Sequence, residues 1–255
     1  MKVRRFVVDH IPLSADKISI GGKSAKRIIR VLRMQPGDEL LLIDPHGSCY
    51  RGKILSLKSS TVEIEILQPA PGPKEPPVDV ILCQAILKAK NMDLVIQKTT
   101  ELGVCTIIPF HSQRTIVQFD NRREQNKLRH WHEIAKNATE QSGRIKPPEI
   151  QPVASFADIL AKFSDDKVFK LILWEQERAR ELRSILRDEH PRKTVAAIVG
   201  PEGGFSRAEL RQATNAGFVP VSLGCRILRA ETAAIVIVAL CQYEWGDLGL
   251  SPTLQ

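Results

Sequence analysis

The sequence contains no apolar run long enough to cross a lipid bilayer, and its longest apolar segments have the length of strands or single helices. Its first residues carry charges but no apolar core followed by small residues, so they do not resemble a secretory signal peptide. These two absences predict a cytoplasmic protein without a membrane anchor.

Cysteine is scarce and scattered, and none of the five cysteines forms a C-x-x-C pair. We therefore expect buried, reduced thiols and no metal site. Two nucleotide-binding signatures are also missing, because no Gly-Lys-Ser/Thr follows the glycines and the G-x-G-x-x-G fingerprint does not occur. A dinucleotide-dependent oxidoreductase is therefore a poor interpretation.

Positive charge is in excess, with 37 Lys+Arg against 29 Asp+Glu and a formal net charge of +8. Residues 1–68 carry +5 of this excess, so the shorter N-terminal segment is the more basic per residue. Clustered Lys and Arg displace condensed counterions from nucleic acid, which favours a phosphate-binding role. A solvated basic surface without a partner is the alternative.

Proline divides the chain near residue 72. Five prolines lie within residues 69–77, a density that neither a helix nor a central strand can accommodate. This segment therefore indicates an extended linker between two domains, residues 1–72 and residues 73–255.

The N-terminal segment has mostly strand-like patterns. Val62, Ile64 and Ile66 alternate with charged residues, and this period of two is typical of a half-buried strand. One basic helix, which Ser24 can cap, interrupts the predicted strands. The predicted strands are Val3–Val8, Glu39–Asp44, Tyr50–Leu57 and Thr61–Leu67. A small β-barrel with one basic helix is the simplest architecture, and it is common among RNA-binding modules.

After the linker, predicted strands and helices alternate, which is typical of a mainly parallel sheet with helices on both faces. The predicted strands are Val78–Cys83, Thr106–Phe110, Val168–Trp174, Val195–Val199 and Phe218–Ser222. The predicted helices are Met92–Leu102, Arg122–Gln141 and Ala230–Tyr243. Ligands of such sheets bind at the carboxyl ends of the strands.

Two glycine-bearing loops follow consecutive predicted strands and precede helices. The first is I-V-G-P-E-G-G-F-S at 198–206, and the second is L-G-C-R-I-L-R-A-E-T at 223–232. Glycine lets a ligand approach the backbone closely, and helix N-termini offer unpaired N–H groups. Together the loops predict a small-molecule pocket, with tight structural turns as the alternative. Trp174 either lines the same pocket or belongs to the core.

These loops resemble the cofactor loops of the SPOUT methyltransferase superfamily, through G-P-E-G-G at 200–204 and L-G-x-R-I-L-R-x-E-T-A at 223–233. The stretches M-D-L-V-I-Q-K-T-T-E-L-G-V at 92–104 and E-Q-S-G-R at 140–144 are similar to the RsmE family. The N-terminal R-R-F and V-L-R-x-x-P-G-D match as well, so the resemblance covers nearly the whole chain.

The resemblance implies an enzyme that uses S-adenosylmethionine to methylate N3 of a uridine in 16S ribosomal RNA, either free or in the assembled small ribosomal subunit. It implies an α/β fold in which a PUA-like β-barrel precedes a SPOUT-type, trefoil-knotted parallel-sheet domain. A homodimer is also implied, with the apolar helix around 235–240 a candidate part of its interface. The knot would be an exception to the rule that chains do not thread loops.

Candidate functional residues follow from their place in these loops and from the basic residues of the two domains. Those expected to bind the cofactor are Leu173, Trp174, Gly200, Pro201, Glu202, Gly203, Gly204, Leu223, Gly224, Ile227 and Leu228. Those expected to bind RNA are Arg4, Arg5, Arg30, Arg33, Arg114 and Arg144. The catalytic candidates are Arg229, which would stabilise a uracil anion, and Glu231, which would accept the N3 proton.

Two of these assignments keep an alternative. Arg229 could instead pair with Glu231 or cap a helix. Glu202 could either face the sulfonium or hold a neighbouring loop in shape.

Three segments depart from the family pattern, all in regions expected to face RNA. Lys26 and Arg27 stand where many relatives have histidines, Gln113 stands where they often have glutamate, and 87–89 replaces their Pro-Lys-Gly. Two other functions stay open: another SPOUT methyltransferase acting on transfer RNA or a ribose hydroxyl, and a non-catalytic RNA-binding assembly factor.

Overall fold

The structure is a computed structural model, and it describes residues 4–8, 10–11, 16–44, 48–70, 75–116, 121–164, 167–177, 182–188 and 192–250. The described residues form two compact units. The first contains those up to Glu75 together with Thr139–Pro147, and the second contains Pro76–Ala138 and the residues from Pro148 onward. A single cut at residue 72 would place Thr139–Pro147 in the second domain, whereas this segment groups with the first unit. The predicted domain boundary stays a prediction.

The first unit contains a five-stranded sheet in the order β1-β3-β4-β5-β2. Its strands are β1 (Arg4–Val7), β2 (Lys17–Ile20), β3 (Glu39–Ile43), β4 (Cys49–Leu57) and β5 (Val62–Pro69). β1 runs parallel to β3, and the other neighbouring strands are antiparallel. The four predicted strands are confirmed, and β2 is an additional one.

A short basic helix precedes β3. It consists of α1 (Gly22–Lys26) and a π-helical turn at Arg27–Val31. Ala25 and Ile28 are buried in the core of this unit. The prediction that Ser24 caps the helix is wrong, because the helix begins two residues earlier, after Gly21, and no side chain caps it.

The second unit contains a parallel seven-stranded sheet in the order β12-β10-β11-β6-β7-β8, with β9 also paired to β7. Its strands are β6 (Asp79–Ala85), β7 (Thr106–His111), β8 (Glu149–Ile150), β9 (Ala154–Ser155), β10 (Phe169–Leu173), β11 (Thr194–Val199) and β12 (Val219–Val221). The five predicted strands and their parallel arrangement are confirmed. β8 and β9, of two residues each, were not predicted.

Helices cover both faces of this sheet, as the alternating pattern predicts. They are α2 (Ala89–Glu101), α3 (Asn121–Ser142), α4 (Phe156–Lys162), α5 (Leu182–Asp188), α6 (Arg207–Asn215) and α7 (Ala230–Glu244). In the central strand β6, Leu82 packs with α2 and α7 on one face, and Cys83 packs with aromatic side chains on the other. None of the helices in the described part of the chain is both long and apolar enough to span a membrane.

The predicted burial of the cysteines holds for three of the five. Cys49, Cys83 and Cys241 are buried free thiols, Cys105 is half-buried and Cys225 is exposed. Burial raises the pKa of Cys241 to about 12, so this thiol is a protonated core side chain at neutral pH. The expectation of burial is wrong for Cys225, because it lies in a surface loop between β12 and α7.

Candidate functional site

Three loops leave the same edge of the parallel sheet. β10, β11 and β12 end at Leu173, Val199 and Val221, and β10 is hydrogen-bonded to both of the other strands. The backbone N–H of Trp174 also donates to the carbonyl of Val221 at 2.9 Å, which extends the pairing into the loops. Because the strands are parallel, their carboxyl ends converge where the fold is expected to bind ligands.

These loops surround a cavity of about 610 Å³, a size typical of small-molecule sites. We call residues 200–206 after β11 the glycine loop and residues 222–229 after β12 the arginine loop. All eleven residues predicted to bind a cofactor line the cavity, as do both catalytic candidates. The structure thus brings together residues that lie up to 58 positions apart in the sequence.

The glycine loop is a tight turn with little room for side chains. The N–H of Gly204 donates to the carbonyl of Pro201 at 2.9 Å, and Gly204 has a φ of 66°, in the left-handed region that favours glycine. A Cβ at Gly200 would lie 3.0 Å from the ring of Phe205. The backbone of this loop is therefore accessible to a ligand in a way that larger residues would prevent.

Glu202 contacts the start of α2. Its Oε1 accepts a hydrogen bond from the backbone N–H of Lys88, the N-cap residue of that helix, at 3.3 Å. The side chain of Lys88 does not cap α2. The Glu202 carboxylate therefore accepts a hydrogen bond from one of the backbone N–H groups at the N-terminus of this helix. This contact favours the interpretation that Glu202 holds a neighbouring segment in shape.

Glu231 is a buried carboxylate at the cavity. It lies in the first turn of α7 with 7 % of its surface exposed, and its buried Oε2 has no hydrogen-bond partner among the described residues. Buried polar atoms are nearly always satisfied, so an unpaired carboxylate oxygen at a ligand cavity indicates a partner that the ligand supplies.

Arg229 is exposed at the mouth of the same cavity and is the N-cap residue of α7. Its side chain makes no capping hydrogen bond. No ion pair joins it to Glu231 in the part of the chain that the structure describes. Neither structural alternative for Arg229 is therefore observed, and its guanidinium is available to a ligand.

The six arginines predicted to contact RNA fall into two groups. Arg5 donates from Nη1 to the carbonyl of Gly143 at 2.8 Å, and Arg144 donates from Nη2 to Oε2 of Glu75 at 2.8 Å. The other four are exposed: Arg4, Arg30 and Arg33 in the first unit and Arg114 in the second. Arg4, Arg30 and Arg33 are free to meet phosphates, whereas Arg5 and Arg144 already have partners within the first unit. Arg114 is exposed but also donates from Nη1 to the carbonyl of Gly203 at 2.9 Å.

Sequence reasoning missed the contribution of α2 to the cavity, which Lys88 and Asn91 also line. The signal is present in the sequence, because β6 is another parallel strand and its carboxyl end lies at the same edge of the sheet. The helix is predicted to begin at Met92, three residues after its observed start at Ala89. Lys88 and Asn91 therefore lie outside every predicted element.

Two family models match most of the chain. A model described as an RNA methyltransferase domain matches residues 74–242, and one described as an RNA methyltransferase PUA domain matches residues 22–67. The chain is 30% identical to the ribosomal RNA small subunit methyltransferase E of Bacillus subtilis, over 90% of this chain and 91% of that one. It is 36% identical to the corresponding protein of Mesomycoplasma hyopneumoniae, over 74% and 80% of the two chains.

Two solved structures have the same fold over nearly their full length. The ribosomal RNA small subunit methyltransferase E of Neisseria gonorrhoeae, bound to S-adenosylmethionine, is 34% identical, with a TM-score of 0.87 and coverage of 96% and 99% of the two chains. A putative methyltransferase of Legionella pneumophila, also with S-adenosylmethionine bound, is 31% identical, with a TM-score of 0.88 and coverage of 97% and 100%. The predicted fold, with a PUA-like unit before a parallel-sheet methyltransferase unit, is confirmed.

Proposed function

Since this chain belongs to the RNA methyltransferase family, we propose that it transfers the methyl group of S-adenosylmethionine to N3 of a uridine in 16S ribosomal RNA. The observation that carries this proposal is that the glycine loop, the arginine loop and the buried Glu231 meet at one cavity. Two similar proteins hold S-adenosylmethionine in their structures.

The residues around the cavity fit this cofactor. Leu173, Trp174 and Ile227 offer apolar surface for the adenine, and the glycine loop leaves its backbone accessible to the polar tail. Carboxylates that line the cavity complement the positive charge of a sulfonium, and Glu202 does so while one of its oxygens holds the start of α2. The cofactor supplies an electrophilic methyl group that is transferred by direct displacement, without a metal.

Glu231 and Arg229 have complementary parts in activating the base. Uracil N3 carries a proton and becomes nucleophilic when the proton leaves, and the Glu231 carboxylate accepts it. Arg229 stabilises the negative charge that develops on the uracil oxygens, a contribution of about 2.7–4 kcal/mol per well-placed donor. The N3 electron pair then forms the new N–C bond, and the sulfur keeps the electrons of the bond that breaks.

The RNA is held by exposed arginines. Arg4, Arg30 and Arg33 on the first unit and Arg114 on the second bind phosphates, which position the substrate but carry little sequence information. Arg5 and Arg144 are proposed to contribute to the RNA surface as well, while each keeps its partner in the protein. The target base leaves its stack to reach the cavity, at a cost of a few kcal/mol.

The protein is proposed to act as a homodimer in the cytoplasm, on the rRNA or the small subunit. Large apolar side chains at the end of α7 and just beyond it are exposed, and they are Leu240, Tyr243, Leu248 and Leu250. The order β12-β10-β11, in which β12 pairs with β10 and not with its predecessor, is compatible with the trefoil-knotted path. Light scattering of the eluting peak in gel filtration tests the dimer.

The decisive experiment is methylation in vitro of small ribosomal subunits from cells that lack the modification, with labelled S-adenosylmethionine. We expect label in N3-methyluridine after digestion and mass analysis, and free 16S rRNA in parallel identifies the preferred substrate. Label in another nucleoside would keep the family and reject the target. Absence of both label and cofactor binding would favour an assembly factor without catalysis.

A further inference from the structure

A buried carboxylate in α6 lies outside the cavity and has no part in the proposed reaction. Glu209 is 5% exposed, yet both of its oxygens accept hydrogen bonds. Oε1 accepts from the Ser112 hydroxyl at 2.9 Å and from the Gln113 backbone N–H at 2.8 Å. Oε2 accepts from the Ser206 N–H at 2.9 Å, so one side chain joins the glycine loop to the segment that follows β7.

A second helix of the same unit shows what an ordinary capping carboxylate does. At the start of α4, Ser155 and Asp158 form a capping box, as Ser206 and Glu209 do at the start of α6. Asp158 is exposed, and among the residues that the structure describes it bonds only with Ser155. Glu209 instead receives two further donors from a segment 96 and 97 residues away. Burial and these extra donors are more than a helix cap requires.

The segment that Glu209 holds carries Arg114. Residues 112–115 form a closed turn, in which the N–H of Ser112 donates to Oγ1 of Thr115 at 2.9 Å and the N–H of Thr115 donates back to the carbonyl of Ser112 at 3.0 Å. Arg114 extends from this turn along Gly203 and donates from Nη1 to the Gly203 carbonyl at 2.9 Å. The turn and the glycine loop therefore meet at two points, at Glu209 and at Arg114.

We propose that Glu209 is a positioning residue for methyl transfer: it holds the turn 112–115 against the glycine loop, so that Arg114 is presented to the RNA beside the cofactor. This inference rests on the proposed function, in which Arg114 contacts RNA. It also accounts for the departure at position 113, because Glu209 uses only the backbone N–H of Gln113 and places no demand on its side chain.

The carboxylate is ionised when it does this. Burial by itself would raise the pKa of Glu209, but the hydrogen bonds from Gln113, Ser206 and Ser112 outweigh burial and lower it. Hydrogen bonds to an ionised acceptor are stronger than those to a neutral amide oxygen. Glu209→Gln keeps the size of the side chain and weakens the attachment, which makes it the informative variant.

The test compares Glu209→Gln with a matched variant, Asp158→Asn, which makes the same chemical change in a capping box outside the glycine loop. We expect Glu209→Gln to raise the KM for small subunits about tenfold, the equivalent of one charge-assisted hydrogen bond. The Kd of Glu209→Gln for S-adenosylmethionine and the KM of Asp158→Asn should stay within about twofold of the wild-type values, since a factor of two is a small free-energy change.

A double-mutant cycle with Arg114→Ala separates positioning from general destabilisation. If Glu209 acts through Arg114, adding Glu209→Gln to Arg114→Ala raises KM little further, because the side chain to be positioned is gone. Fully additive effects, or an equal rise in KM for Asp158→Asn, would overturn the inference.

Amide hydrogen exchange supplies a readout that needs no activity. In Glu209→Gln the Gln113 amide should exchange faster than in wild type while amides in α4 are unchanged; unchanged protection at Gln113 would reject the inference. If wild-type protein fails to make N3-methyluridine but the exchange result holds, the proposed function fails and the structural attachment stands. If methylation succeeds and Glu209→Gln behaves as wild type in every assay, only the inference about Glu209 fails.

Discussion

Arg144 and Glu75 form an ion pair in the first compact unit, with Nη2 of the guanidinium 2.8 Å from Oε2 of the carboxylate. The Arg144 side chain is 10 % exposed, and the N–H of Ile145 donates to the other carboxylate oxygen. Arg27 pairs with Glu140 in the same unit. The segment 140–144, which resembles a family signature, is therefore attached to the first unit through its charged residues.

The ion pair predicts a stability effect at Arg144. We expect Arg144→Met to lower the free energy of unfolding by about 1–3 kcal/mol, because it leaves the half-buried Glu75 carboxylate without its charged partner. Arg51→Met is the matched control, since Arg51 and Glu39 are 3.8 Å apart and both about half exposed, and it should cost about 0–1 kcal/mol. Urea denaturation of the three proteins measures the difference. If both variants lose the same small amount of unfolding free energy and only Arg144→Met binds RNA more weakly, Arg144 contacts RNA and has no structural role.

RNA binding should depend on Arg30 and Arg33. The double variant Arg30→Gln/Arg33→Gln should bind small-subunit RNA more weakly and with a flatter salt dependence, by about 0.7 in slope for each phosphate that the protein no longer neutralises. Arg51→Gln/Lys53→Gln removes the same charge from exposed positions on β4. Titrations at several salt concentrations compare the two slopes. The same slope for both variants would show that overall charge, and not the place of Arg30 and Arg33, determines binding.

Turnover should depend on Glu231. We expect Glu231→Gln to lower the single-turnover rate by about 10²–10⁴-fold, because the amide cannot accept the N3 proton. The Kd for S-adenosylmethionine should stay near the wild-type value, as the amide is isosteric with the carboxylate. Arg229→Ala should also lower the rate without a change in cofactor affinity. A Glu231→Gln protein with wild-type rates would require another base.

The glycine loop should not tolerate a side chain at Gly204. Gly204→Ala forces an L-residue into the left-handed region, at a cost of about 1–2 kcal/mol, and brings a Cβ to 3.5 Å from the Glu175 carboxylate. Cofactor affinity should fall for this reason. Gly37→Ala carries similar strain at a φ of 96° with no atom nearby, in a surface turn of the other unit. Calorimetric titration should show weaker cofactor binding for Gly204→Ala and unchanged binding for Gly37→Ala. Equal affinities of the two variants would mean that the conformation of the glycine loop does not determine cofactor binding.

Stability should depend on pH through Glu209. Its folded-state pKa lies below the ordinary value of 4.5, so its stabilisation is present above that value and is lost as the pH falls through the lower folded value. The difference in unfolding free energy between wild type and Glu209→Gln should therefore be constant between about pH 5 and 8 and shrink below pH 4.5. Urea denaturation at four pH values measures it. A difference that does not change with pH would mean that folding leaves the pKa of Glu209 unchanged, and one that shrinks as the pH rises above 4.5 would mean that the buried carboxyl is protonated.

Local pattern in the sequence determined most of the fold. Alternation in β5, unbroken apolar runs in β11 and a long apolar α7 each follow from the spacing of side chains along a few turns or residues. Glycines at the ends of β11 and β12 indicated the pocket, because parallel strands bring their carboxyl ends to one edge. The shortest elements, such as β2 and β8, have too few residues to show a period.

Only the tertiary structure decided which of several identical side chains has a partner. Arg30 and Arg144 are indistinguishable in the sequence, yet one is exposed and the other pairs with a carboxylate 69 residues away. Glu209 has the spacing of a helix cap, and the donors that bury it come from the segment after β7. Hydrogen bonds and ion pairs join residues that are distant along the chain, so the sequence determines the elements and their pocket, and packing determines which polar groups remain free to act.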